Sequence, residues 1–344
     1  AAPAPASAVL SGVMLKAGLL GWLRFVHPDV VWTQSITDGI IVLGLAGAFV
    51  GAAIGCTQSH PKTILAYSSV SQMGLVVSAF GMLLSGGASW TLAAWVCGCF
   101  AVHHALVKGA LFLGVASVER LHGSARLVAM LLLAGAALSL VGVPLTSGAA
   151  AKSALLILAQ GLPLGRAAAF EWMLIVGAVA TALLMVRLLR CLAPGQGDGC
   201  SALLWLPAVA LLVASTMFGV LVQRQLGTAD SGPEKWLVAW LPVLLAVGLE
   251  ALTRRSGWRM PRIPAGDLVN VVEGLARRMA RESSAGREAE AGHTDGKPPA
   301  RSTAWVERVV ALPPRWESLL VSDYAGPWLT FAVAIGLAVV IAIG

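Results

Sequence analysis

Stretches of about 20 apolar residues, each long enough to carry a helix across a bilayer core of ~30 Å, recur along almost the whole chain. They run over residues 6–26, 36–57, 63–84, 91–118, 127–160, 167–193, 201–223, 236–252 and 324–343. Such a chain has few ways to fold. Water does not reach the core of a membrane, so backbone polar groups must pair within each span or around a closed barrel, and the alternation of barrel strands is not visible. The expected fold is an all-α polytopic bundle of transmembrane helices. The composition agrees: 57% of the 344 residues are hydrophobic and 12% are charged.

Threading the spans in alternation puts Lys62, Arg120, Arg126, Arg187, Arg190, Arg254 and Arg255 on one side, and Arg24, Arg166, Arg224 and Lys235 on the other. By the positive-inside tendency the first side is cytoplasmic, which starts the N-terminus inside and ends the C-terminus in the periplasm of a bacterial inner membrane. The opening AAPAPASAVL has no charged n-region and is not read as a signal peptide. Trp22, Trp32, Trp90, Trp172, Trp205, Trp236 and Trp328 fall near span ends, as an aromatic belt requires. The net charge is +7, but half of the lysines and arginines lie between Arg254 and Arg315, in a segment bracketed by spans. A membrane surface is therefore the expected partner, and nucleic acid is not.

Three regions follow: an eight-span membrane domain over 1–253, a cytoplasmic segment over 254–323 and a final span over 324–344. In the cytoplasmic segment Leu268, Val271, Val272, Leu275 and Met279 recur at helical spacing opposite Arg277, Arg278 and Arg281, which describes an amphipathic helix along the membrane surface. A solvated juxtamembrane loop is the alternative there. The stretch SSAGREAEAGHTDGKPPARST after it has the make-up of a flexible linker. Cys56, Cys97, Cys99, Cys191 and Cys200 form no CxxC pair, and their odd number argues against a complete disulfide framework. They read as packing residues.

The span over 127–160 is too long for one straight crossing. The expected break is GVPLTSG, where Pro144 removes a donor and Gly142 and Gly148 tolerate unusual dihedrals. Unwound backbone at membrane depth survives where protein or water meets its freed groups, so the break points to a polar interior, with packing alone as the alternative.

Lys16 lies midway along the first span, Lys108 midway along the fourth, and Lys152 four residues past Gly148. A lysine at the bilayer centre costs at least a few kcal/mol, so such residues face a bundle interior or a hydrated cavity; snorkelling to an interface is the alternative for each. His104 and Lys108 are four apart and share a helical face, forming a titratable stripe. Low dielectric and a neighbouring cation both favour the neutral form of an amine, which suits proton exchange. His103 faces another side and reads as structural, and Lys62 as an interfacial anchor. Ser68 and Gln72 are four apart, as are Tyr67 and Ser71; these pairs either hold water wires or hydrogen-bond neighbouring helices as packing glue. No carboxylate is placed at the depth of the lysines, and no phosphate loop, zinc site, haem ligand pair or iron–sulfur spacing is recognisable.

SGVMLKAGLLGWLRF, KTILAYSSVSQMGLV, HHALVKGALFLG and GVPLTSGAAAKSALL, in that order over residues 6–160, resemble successive motifs of the antiporter-like, proton-conducting subunits. That family serves respiratory complex I, group 4 hydrogenases and formate hydrogenlyase, and Mrp-type cation/proton antiporters. The opening residues look most like the large hydrogenase-type subunit. The resemblance implies that Lys16 corresponds to the lysine on the family's eighth helix, at the centre of the transfer path. His104 and Lys108 correspond to the stripe on its eleventh helix, and Lys152 to the terminal residue on its broken twelfth helix, where the proton leaves. Residues 266–283 resemble the family's lateral helix. Members have about fourteen or more helices, and the first seven carry a glutamate and lysine pair that this chain does not show. The missing acids are expected from a separate chain supplying that half, or the chain is a partial member holding the exit-side half of a channel.

The implied function is proton translocation as one subunit of a redox-driven membrane complex, with redox cofactors in partner subunits and none in this chain. A cation/proton antiporter subunit without redox partners, and a non-conducting scaffold, are the alternatives.

Overall fold

The computed structural model describes residues 3–256, apart from 27–31, 87–88, 160–161, 193–201 and 228–232. The amphipathic segment, the linker and the final span expected over 324–343 lie outside the described residues. Within them the elements are helical: α1 (Ala4–Phe25), α2 (Gln34–Thr57), α3 (Pro61–Leu84), α4 (Trp90–Arg120), α5 (Gly123–Val141), α6 (Ser147–Ala159), α7 (Leu164–Arg190), α8 (Ala202–Leu226) and α9 (Pro233–Arg255). Seven of these, α1 to α5, α7 and α8, are long and apolar enough to cross a membrane, and α6 is a shorter apolar helix. The bundle expected from the sequence is the bundle observed, with helix ends moved by a few residues.

α4 is the axis of the bundle. A membrane helix that carries titratable side chains must be enclosed by other helices, and α4, with His103, His104 and Lys108, is buried almost continuously from Ala93 to Val118, packed against α1, α3, α5, α6 and α8. Its first turn is capped by Ser89, whose hydroxyl accepts from Leu92 N at 3.3 Å. α2 and α3 form the closest helix pair. Gly44, Gly51 and Gly55 on α2 face Ser78, Ser71 and Tyr67 on α3, and Gly74 meets Ala48. With no apolar force between helices in lipid, close approach of small residues supplies the packing.

Contacts between helices fix which ends lie together. Arg187 Nε donates to the Gln58 carbonyl at 3.0 Å and Arg190 pairs with Glu250, which joins the ends of α2, α7 and α9. At the opposite end Arg166 lies 3.3 Å from Asp38. These groupings match the alternation of charge read from the sequence.

Pro61 opens α3 in its first helical turn, where its missing N–H costs nothing. The break between α5 and α6 falls where it was expected, but its stop signal is Gly142. That residue adopts φ +89°, its N–H reaches the Ser139 carbonyl at 3.1 Å, and Val143 N reaches the Leu138 carbonyl at 3.3 Å. This is a Schellman ending, which favours glycine because a Cβ opposes a left-handed backbone. Pro144 sits in the linker, and Thr146 caps α6 by accepting from Ala149 N at 3.4 Å.

Candidate proton-transfer site

α1 is not regular. A π-helical turn over Leu10–Met14 precedes Lys16, and π-turns shift carbonyls out of the ordinary ladder. Lys16 is fully buried, and its ammonium donates to the Ser11 carbonyl at 2.5 Å. The Ser11 hydroxyl shares a 2.5 Å hydrogen bond with Ser69 of α3, and Ser69 in turn donates to the Leu65 carbonyl at 3.1 Å. The same carbonyl accepts from Ser68 at 2.9 Å and from Lys108 of α4 at 2.8 Å. Lys108 also bonds the Ser68 hydroxyl and is fully buried. Lys16 and Lys108 are therefore drawn into one polar network through α1, α3 and α4, with Ser11 and the Leu65 carbonyl as its junctions, as buried groups lacking water require. Snorkelling is excluded for both.

The polar residues of α3 divide by face. Ser68 belongs to the amine network. Gln72, from the same face, donates to Thr181 of α7 at 2.7 Å and acts as glue. Tyr67 and Ser71 lie against Gly55 and Gly51 of α2, in the helix interface. Ser11, Ser69 and the Leu65 carbonyl had no sequence signal. Ser11 is a small residue in an apolar run, Ser69 is one of several hydroxyls in the run 67–72, and the π-turn over Leu10–Met14 precedes Lys16.

His104, on the face of Lys108, is fully buried beside Phe100, and neither ring nitrogen has a hydrogen-bond partner among the described residues. His103 is buried as well, but its Nδ1 meets the Ser147 hydroxyl at 2.8 Å, at the start of α6. Ser147 also contacts Ser215 of α8 at 2.6 Å and Ser139 of α5 at 3.1 Å. Serine hydroxyls from three helices thus converge on the break. On its other side Lys152 donates to the Val141 carbonyl, one of the unpaired acceptors at the end of α5, where the helix dipole favours a cation. Gly148 lies within α6; without a Cβ it sits directly on the Ser139 carbonyl.

Lys152 and Glu171 line one cavity of about 450 Å³ between α5, α6, α7 and α9. Glu171 is exposed at its rim. The fold thus sets this carboxylate on the wall of the cavity that Lys152 lines. Among the described residues no carboxylate pairs with Lys16, Lys108 or Lys152. A set of buried amines and imidazoles linked by hydroxyls and carbonyls can accept, hold and pass protons.

The family model described as NADH:quinone oxidoreductase/Mrp antiporter, TM matches residues 1–185. A putative antiporter subunit mnhA2 of Staphylococcus haemolyticus is 33% identical over 174 residues, covering 44% of this chain and 21% of the relative. Hydrogenase-4 component B of Escherichia coli is 34% identical over 131 residues, covering 36% and 20%. NADH-ubiquinone oxidoreductase chain 4 of Metridium senile is 33% identical over 123 residues, covering 35% and 24%. The chain spans about a fifth to a quarter of these relatives' length. Among solved structures, the Mrp complex from Dietzia sp. DQ12-45-1b aligns with TM-score 0.62 at 19% identity, covering 99% of this chain and 46% of that one. At that identity the likeness establishes the fold alone.

Proposed function

The chain belongs to the NADH:quinone oxidoreductase/Mrp antiporter transmembrane family, and from that premise we propose that it forms one proton-translocating half-channel of a redox-driven membrane complex. The observation that carries this reading is that two fully buried lysines, Lys16 and Lys108, share one polar network built from Ser11, Ser69 and the Leu65 carbonyl. Protons pass between the amines over the serine hydroxyls and bridging waters, the carbonyls serving to hold the amines in place, then to His104 and onward to Lys152, and leave by the cavity that Glu171 shares. Partner subunits supply the electron transfer and hold its redox cofactors. In this reading a separate membrane chain supplies the other half of the path, and the arginine-rich end faces the bacterial cytoplasm.

A second reading, a cation/proton antiporter subunit without redox partners, is favoured by the likeness to mnhA2. Mass spectrometry of the native complex separates the two: hydrogenase or quinone-reductase subunits support the first, and small antiporter subunits alone support the second. Transport itself is tested in vesicles carrying the purified complex. Lys16→Ala and Lys152→Ala should abolish proton uptake with assembly intact. Uptake at the wild-type rate in both would leave a non-conducting scaffold as the function.

A further inference from the structure

We infer that His103 is a transfer residue in its own right, delivering protons from α4 to the broken helix through the hydroxyl of Ser147; this rests on the half-channel reading above. Adjacent residues on a helix point about 100° apart, so the paired histidines serve two sides of α4. His104 shares the face of Lys108. His103 faces the break, with Ser147 at 2.8 Å, and Ser147 is held by Ser215 at 2.6 Å and Ser139 at 3.1 Å.

These four side chains come from α4, α5, α6 and α8, and each is at most 4% exposed. Their surroundings are apolar, with Phe100 edge-on to the His103 ring at 6.1 Å and Cys99, Ala150 and Val222 forming a small core nearby. Buried polar groups are costly unless each finds a partner. A histidine used only to fill space would cost less as an apolar residue.

The step conserves every atom. The N–H bond of a protonated His103 breaks as an O–H bond forms on Ser147, the proton already on Ser147 passes to the Ser139 hydroxyl, and Ser139 releases its own proton toward Lys152. Ser147 ends as it began, because a hydroxyl both donates and accepts. Ser139 is two residues before Val141, whose carbonyl holds Lys152. A bridging water or a rotation of the lysine completes the transfer to a neutral Lys152 amine. His103 then becomes neutral, and a bridging water or a rotation of the unpartnered His104 ring brings it the next proton.

The test uses the purified full complex in vesicles. In His103→Asn the new amide sits where Nδ1 was and keeps the bond to Ser147, but it does not titrate. A structural role predicts wild-type uptake in this variant; the transfer role predicts a fall of about tenfold or more with the complex intact on a native gel. Wild-type uptake in H103N overturns the inference. If H103N does not assemble, Ser147 decides: slow uptake in Ser147→Ala with normal uptake in Ser147→Thr supports it, and equal rates in the two overturn it. Lys16→Ala run alongside separates the levels. If both Lys16→Ala and H103N transport normally, the half-channel reading fails; if Lys16→Ala is dead and H103N is normal, only the role of His103 falls.

Discussion

One backbone oxygen organises the amine network. The Leu65 carbonyl accepts from Ser68, Ser69 and Lys108 at once, although a carbonyl has two lone pairs. Ser69 is thus the group that ties the Lys16 branch to the Lys108 branch. Ser69→Ala should cut proton uptake several-fold while Lys108→Ala abolishes it, and both should be read in the same vesicle assay. The Ser11 hydroxyl left behind is buried, so thermal unfolding in detergent should also show a loss of about 1–3 kcal/mol. The lysines were legible in the sequence because a charge in an apolar run stands out on its own. The serines were not, since a hydroxyl costs little in a membrane helix and only the meeting of α1 with α3 gives it a partner. The partner of His103 was hidden for a related reason: Ser147 is 44 residues away, across the helix break.

Among the elements, the broken pair α5 and α6 carries the sharpest expectations. Gly142→Ala places a Cβ on a residue at φ +89° and 3.0 Å from the Lys152 side chain. It should destabilise the bundle by about 1–2 kcal/mol and lower uptake. Gly148→Ala should be worse, because its Cβ would collide with the Ser139 carbonyl; loss of the assembled complex on a native gel is the expected outcome. Gly47→Ala, where no atom lies within 4 Å, is the control and should be neutral or slightly stabilising. Sequence reasoning located the break because proline and glycine interrupt an apolar run. It assigned too much to Pro144, since a Schellman ending depends on the left-handed turn at Gly142. The π-turn of α1, over Leu10–Met14, was not read from the sequence.

For the molecule as a whole, the alternation of charge was legible because each span reverses direction and arginine collects at one end. The contacts Arg187–Gln58, Arg190–Glu250 and Arg166–Asp38 have the same grouping. If the arginine-rich end is cytoplasmic, a cysteine introduced at Glu119 should react with a membrane-impermeant maleimide in inside-out vesicles, and one at Leu164 in right-side-out cells. The reverse pattern would invert the orientation. What the sequence did not show was the cavity shared by Lys152 and Glu171, because it forms only when α6, α7 and α9 close around it. A further consequence follows from the lack of an acid beside Lys16, Lys108 and Lys152 among the described residues. With no carboxylate paired to these amines among the described residues, two charges held at once on Lys16 and Lys108 would repel across low-dielectric surroundings. Were the chain to conduct as proposed, such repulsion would meter its traffic, one passenger admitted only after the last has left.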